Sequence, residues 1–317
     1  MTDQPLQESI TRFFTAEKYQ IVEVIKEGRI FVVDSAMHGS RVVVKIDPLN
    51  PEHRPGRPKG IARGDSYIAQ QRMENIFKVM KDFRFFSLCL PAVFGMGRFE
   101  DYFDWVIYKY YEGKVYPWSE KNNQSTELGG AAISPENASE VAMLVFDLTQ
   151  VPVLKFSQKV ETKNYPEELA SLTISGEVAV KAELISAEEL NQALTRLGVF
   201  YDKKVPTLYT IQNGDFYPRN FLKLKESIVL LDWESAGITT VEEVVAYGHL
   251  LMWNNPEWQK LFLSELHNLL DLNEEWLRMM QLLVALKQVI FWSDTSEEEI
   301  SSARAAMCAA FRAASTS

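Results

Sequence analysis

The feature that most limits what this chain can become lies between Leu208 and Gly237, in the run LYTIQNGDFYPRNFLKLKESIVLLDWESAG. An apolar run ending at Ile211 leads into Asn213-Gly214-Asp215, Asn220 follows in the same loop, and a β-rich run from Ile228 to Leu231 delivers Asp232. Short runs of β-branched and aromatic residues bounded by loop formers read as strand, loop, strand. A strand that ends in an acid, facing a loop with a second acid and an amide, offers hard oxygen donors. Mg²⁺ takes such oxygens, keeps several waters and shares the phosphates of a nucleotide. Asp and Asn in loops also make plain turns, but here their order and spacing favour a site.

The segments NGDFYPRN and LLDWE resemble the catalytic loop and metal-binding motif of the aminoglycoside phosphotransferase and choline kinase family, which shares the protein-kinase-like fold. The resemblance implies an α+β, two-lobed fold, with a small antiparallel β-rich N-lobe and a larger, mainly helical C-lobe. It implies Asp215 as the base that takes the substrate hydroxyl proton, Asn220 and Asp232 as ligands to Mg²⁺, and ATP or GTP as co-substrate. The family carries a histidine where this chain has Asn213, a departure that an asparagine bonding to backbone can accommodate. Arg219 is an accessory candidate, adding positive charge near the transferring phosphate or bracing Glu234.

Composition sets wider limits. At 317 residues the chain suits one two-lobed unit or two domains. With 46% hydrophobic and 24% charged residues it reads as an ordinary soluble globular protein. A net charge of -10 argues against nucleic acid as a partner; it suits a cationic small acceptor and plain solubility equally. Cys89 and Cys308, far apart, signal neither a disulfide framework nor a thiolate metal site. The opening MTDQPLQESI has no leader pattern, and no apolar run is long enough to span a bilayer. A cytoplasmic enzyme without a membrane partner is the expectation.

Taken in order, Tyr19–Ile25, Arg29–Asp34 and Arg41–Asp47 read as three antiparallel strands joined by turns at Gly28 and at His38-Gly39-Ser40. Lys45 sits in the third run among valines, where an unpaired ammonium is costly. In the resembling family a lysine there pairs with nucleotide phosphates and with an acid on the next helix. The proline-rich 48–58 stretch is a loop, and a helix follows from Asp65 or Ser66 to about Asp82. Its Glu74 is the expected partner of Lys45. Gly28 alone stands where a glycine-rich phosphate loop would lie, so no phosphate nest is read there. Leu90–Met96 and Phe103–Tyr110 are further β-runs. Ile107, Tyr108, Lys109, Tyr110 and Tyr111 correspond to the linker whose backbone binds the base, placing the N-lobe at 1–110 and the C-lobe at 111–317.

The remainder reads as helices. Helix starts are signalled at Ser134-Pro135-Glu136, at Ser186 with Glu189, at Thr240 with Glu243, at Asn255-Pro256, at Asn273, and at Ser296 with Glu299. Glu242 and Glu243 could anchor a cationic substrate, but capping accounts for them more simply. Trp253 and Trp258 could face a quaternary amine or a sugar; at helical spacing they fit a core better. From Asp232 to the next capped helix there is no room for a long activation segment, and no A-P-E follows. The reading is therefore a small-molecule kinase acting on a hydroxylated, cationic or neutral acceptor. Aminoglycoside, choline or ethanolamine, homoserine, a methylthio-sugar and a macrolide all stay open. The alternatives are an inactive kinase-fold module that binds nucleotide or protein, and a nucleotide hydrolase. Nothing in the sequence fixes the oligomeric state.

Overall fold

The computed structural model describes residues 4–49, 66–116, 137–156, 160–204, 208–216, 220–252, 255–293 and 301–316. The chain divides into two compact units, 1–81 with 90–113, and 82–89 with 114–317. The division expected after residue 110 thus falls after Gly113, and 82–89 joins the second unit.

In the first unit, helix α1 (Gln4–Ala16) precedes strands β1 (Tyr19–Lys26), β2 (Ile30–Ser35) and β3 (Ser40–Pro48). Helix α2 (Ser66–Met80), β5 (Val93–Phe99) and β6 (Phe103–Lys109) complete it; the short β4 (Leu88–Cys89) belongs to the second unit. The sheet order is β1-β2-β3-β6-β5, with every pairing antiparallel. Gly28 and Gly39, with φ of 66° and 61°, supply the left-handed residues of the first two hairpin turns.

Strand alternation sorts the sheet's two faces. Val42, Val44 and Ile46 of β3 enter one cluster with Phe31, Val33, Phe103 and Ile107 and with Ile10, Phe13 and Phe14 of α1. The sequence carries little signal for α1; its apolar residues are few, and several of their partners lie far along the chain. The opposite face carries Val43, Lys45 and Asp47, and Lys45 pairs across from Val106. There the Tyr108 hydroxyl donates to the sulfur of Met73 at 3.3 Å, so α2 covers the face that α1 does not. Helix α2 buries Gln70, Met73, Ile76 and Met80.

The second unit holds β7 (Lys114–Tyr116), α3 (Asn137–Thr149), α4 (Tyr165–Lys181), α5 (Ala187–Lys203), β8 (Tyr209–Gln212), β9 (Phe221–Lys223), β10 (Ile228–Leu230) and β11 (Gly237–Thr240). Helices α6 (Val241–Leu251), α7 (Pro256–Leu269), α8 (Glu274–Ser293) and α9 (Ser301–Thr316) follow. Its strands form a sheet ordered β4-β10-β9-β7 and a separate β8–β11 pair. The Ser186 capping box is complete, Thr240 caps α6, and Asn255 caps α7 ahead of Pro256. Asn273 caps α8 through Oδ1, which accepts from the backbone of Glu275 and Trp276. Starts expected at Ser134 and Ser296 lie outside the described residues, as does Trp253. Trp258 is fully buried and stacks on Phe262, a core residue. Helix α4 carries little sequence signal; two of its buried residues, Gly176 and Ala179, beside Tyr165 and Leu172, are too small to mark a period. Among the described residues no helix is long and apolar enough to cross a membrane.

Candidate active site

Two antiparallel strand registers assemble the site. In the first, β8 runs antiparallel to β11 with Gln212 opposite Gly237, so the chain leaving β8 and the chain entering β11 share one end. Gly214 lies there with φ of 84°, and a Cβ on it would come within 2.1 Å of the Ser235 carbonyl oxygen. Only glycine satisfies both demands. In the second, β9 pairs with β10 so that Phe221 faces Leu230. The residues just outside that pair, Asn220 and Leu231, meet through Leu231 N–H to the Asn220 carbonyl at 2.8 Å. Asn220 and Asp232 are thereby one residue apart across a hairpin.

Side-chain amides lock the two strand pairs together. The Asn220 Nδ2 donates to the Asp215 carbonyl and to its Oδ2, both at 2.8 Å. The Asn213 Nδ2 donates to the Asp215 carbonyl at 3.0 Å and to the Leu231 carbonyl at 2.9 Å. Asn213 is fully buried and Asn220 nearly so, while Asp215 and Asp232 are half-buried. Asn213 therefore ties the loop that carries Asp215 to the residue preceding Asp232. Asp232 itself has φ of 59°, a left-handed conformation that a non-glycine residue adopts at a cost. Such strain persists where neighbours over-determine the backbone, and it gathers at functional sites. Here Trp233, fully buried, clamps the next residue by donating Nε1–H to the Leu230 carbonyl at 2.6 Å.

Asp147 of α3, which carries no signal in the sequence, braces the strand next to the site. It is fully buried, and its carboxylate accepts from the backbone N–H groups of Phe86 at 2.9 Å, Ser87 at 2.6 Å and Leu88 at 2.8 Å. Those residues lead into β4, which lies parallel to β10. The strand that delivers Asp232 is thus braced from α3. A single aspartate inside an apolar helix gives no signal of three consecutive N–H partners elsewhere in the chain.

The other expected residues are placed as follows. Lys45 stands on the α2-covered face of the first unit's sheet. Glu74, partly exposed, makes an ion pair with Lys78 at 3.0 Å, one turn along the same helix. Ile107 turns its side chain into the α1-side cluster, and Tyr108 reaches Met73. Lys109 N–H bonds to the Ala92 carbonyl at 2.9 Å. Tyr110 lies against the Arg41 guanidinium, 5.7 Å from ring centre, and the Tyr111 hydroxyl accepts from Ala92 N–H at 3.0 Å. Glu234 is half-buried in the turn after Trp233; Arg219 lies outside the described residues.

Glu242 and Glu243 are both engaged within the protein. The buried Glu242 accepts from Asn273 N–H at 3.2 Å, supporting the start of α8, and burial raises its pKa. Glu243, fully buried, faces Lys163 and Lys287 and accepts from the Thr239 and Tyr165 hydroxyls. Glu168 closes the ring with 2.8 Å contacts to both lysines. Burial alone would push the Glu243 carboxyl up, but the two ammonium groups outweigh it and bring its pKa down to about 2. Burial lowers the Lys163 pKa. For Lys287 burial acts the same way, but Tyr247, Glu168 and Glu243 outweigh it and hold the group well above its ordinary value.

No family model matches the chain, and no curated protein sequence matches it. Solved structures match its fold along nearly the whole length. A microcompartment-associated aminopropanol kinase superposes with a TM-score of 0.64 at 12% identity, covering 98% of this chain and 96% of that chain. The GDP complex of wild-type aminoglycoside 2'-phosphotransferase-IIIa gives 0.62 at 14% identity, with 98% and 99% covered. A thermostable aminoglycoside phosphotransferase mutant, in ternary complex with ADP and hygromycin B, gives 0.63 at 13% identity, with 96% and 97% covered. At these identities the likeness is one of fold, and the chain folds as the aminoglycoside phosphotransferases and their small-molecule kinase relatives do.

Proposed function

We propose that this chain is a small-molecule phosphotransferase that moves the terminal phosphoryl group of ATP or GTP to a hydroxyl of a small acceptor. The observation that carries the reading is the double use of amides. Asn220 holds both the backbone and the carboxylate of Asp215, while Asn213 joins that same backbone to the residue before Asp232. In this fold, that joins a base and two metal-binding oxygens into one rigid piece.

In the transfer, the acceptor oxygen bonds to the terminal phosphorus, the bond from that phosphorus to the bridging oxygen breaks, and the nucleoside diphosphate leaves. The acceptor's hydroxyl proton passes to the Asp215 carboxylate. The work left to the protein is positioning and charge stabilisation. Both amide hydrogens of Asn220 go to Asp215, so its oxygen is the atom left for a cation. With the Asp232 carboxylate it makes a hard-oxygen pair that fits Mg²⁺ completed by phosphate and water. Bound there, Mg²⁺ would supply charge neutralisation on the phosphates. Lys45 is assigned to the nucleotide phosphates, and the backbone of Tyr110 and Tyr111 to the base. Between Asp232 and α6 the chain holds only a turn and the four-residue β11, which supports a small acceptor over a protein one.

Thermal unfolding with and without Mg-ATP and Mg-GTP tests this, on the wild type and on Asp232→Ala. A native-state ligand at a hundredfold excess over its Kd stabilises by about 2.7 kcal/mol. We expect a metal-dependent rise that Asp232→Ala loses, and Asp215→Ala that binds nucleotide but transfers nothing. No rise with either nucleotide would replace this reading with that of an inactive kinase-fold module.

A further inference from the structure

Two polar residues of α2 compete for the sheet face that carries Lys45, and their surroundings separate them. Glu74 is partly exposed and already paired with Lys78. Gln70, one turn nearer the helix start, is only 2% exposed, and its Oε1 is buried with no hydrogen-bond partner. A buried carbonyl oxygen without a donor is costly to keep in a fold. Native proteins hold few such atoms, and each calls for a reason.

Its place suggests the reason. Residues three apart on a helix share a face, and three residues after Gln70 comes Met73, which takes the Tyr108 hydroxyl at 3.3 Å. Gln70 is therefore on the side of α2 that lies over β6. Val43 pairs with Tyr108 and Lys45 with Val106, so all four side chains share that one sheet face. The orphan oxygen and the lysine belong to the same side of the same sheet.

We propose that Gln70 is a positioning residue for the nucleotide: its side-chain oxygen accepts a hydrogen bond from the Lys45 ammonium when that ammonium engages the phosphates. This is the task that the sequence resemblance gives to Glu74. The inference rests on the nucleotide reading above. A neutral amide oxygen orients an ammonium without cancelling its charge, so the lysine keeps its full positive charge for the phosphates. A carboxylate there would divide the lysine's interaction between two anions.

The test measures Mg-nucleotide affinity by calorimetry, and stability without nucleotide, on the wild type, Gln70→Met, Gln70→Glu and Glu74→Gln. Methionine keeps the volume and removes the orphan oxygen, so Gln70→Met should unfold no earlier than wild type while binding nucleotide about tenfold more weakly. Gln70→Glu, which keeps an acceptor oxygen, should stay within about threefold of wild type, and Glu74→Gln should be unchanged. Unaltered affinity in Gln70→Met overturns the proposal, as does a fall in its stability, which would make Gln70 a plain core residue. Weakened binding in Glu74→Gln with Gln70→Met intact would return the role to Glu74. A wild type that binds no nucleotide removes the phosphotransferase reading itself, and this inference with it.

Discussion

Asp215 and Glu243 are carboxylates placed just beyond opposite ends of the paired strands β8 and β11, and they have opposite surroundings. Asp215 follows β8, is half-buried, and meets the neutral amide of Asn220. Glu243 follows β11, is fully buried, and meets Lys163, Lys287 and two hydroxyls. An amide fixes a carboxylate without adding charge. Two ammonium ions instead hold Glu243 ionised down to about pH 2, which removes it from proton transfer near neutrality. Similar chemistry is thus divided between a group we assign to proton transfer and a group committed to the fold.

Paired substitutions can break that division. Asp215→Asn preserves the shape of the residue and removes the proton acceptor. We expect phosphoryl transfer to fall by about 10³-fold or more, since a positioned base contributes about 10²–10⁴-fold, with thermal stability nearly unchanged. Glu243→Gln should do the reverse. Removing one partner of a buried charge network costs about 3–5 kcal/mol, read in denaturant midpoints, with the turnover of the folded fraction kept. If Asp215→Asn destabilised as strongly as Glu243→Gln, the contrast would fail.

The acid limb sharpens the same contrast. The folded pKa of Glu243 lies below the ordinary carboxylate value of 4.5. Its contribution is therefore fully present above about pH 4.5 and is lost as pH falls towards 2, on the order of 3 kcal/mol in all. Glu243→Gln should show a shallower decline of stability over that window than wild type. The smallest effect is expected for Asn213→Ala. Loss of its two buried bonds should cost about 1–2 kcal/mol and raise the Mg-nucleotide KM more than it lowers kcat, because it releases the backbone beside Asp232. An equal fall in kcat alone would place Asn213 with the base and not with the metal loop.

The stretch that carries the candidate site was legible because its parts are close in sequence. The β9–β10 hairpin, set in sequence between the paired strands β8 and β11, brings Asn213, Asp215, Asn220 and Asp232 together, and glycine and acid positions in short loops announce themselves. The α2 residues were less legible. Glu74 attracts attention because it carries charge, whereas Gln70 looks like any helix-surface amide until its burial is known. The ring of Lys163, Glu168, Glu243 and Lys287 draws on the approach to α4, on α4 itself, and on α6 and α8. Thr240 and Glu243 were read as a cap, and Thr240 does accept from Glu243 N–H. The side chain of Glu243 nevertheless turns away, to lysines that no local pattern connects with it. The α1 helix was missed for a related reason: what stabilises it is a sheet assembled mostly from later sequence.

That last feature bears on how the chain is made. Phe13 of α1 closes onto Phe99, Phe103 and Trp105, all of them on or beside the last hairpin of the first unit. On a ribosome advancing at about 5–20 residues per second, those rings follow Phe13 by on the order of ten seconds. Through that interval the nascent chain carries an apolar helix face only part of whose lid has been translated. A pause before the codon for Lys109 would lengthen the exposure, making the coding order of the first unit, as much as its final packing, a determinant of yield.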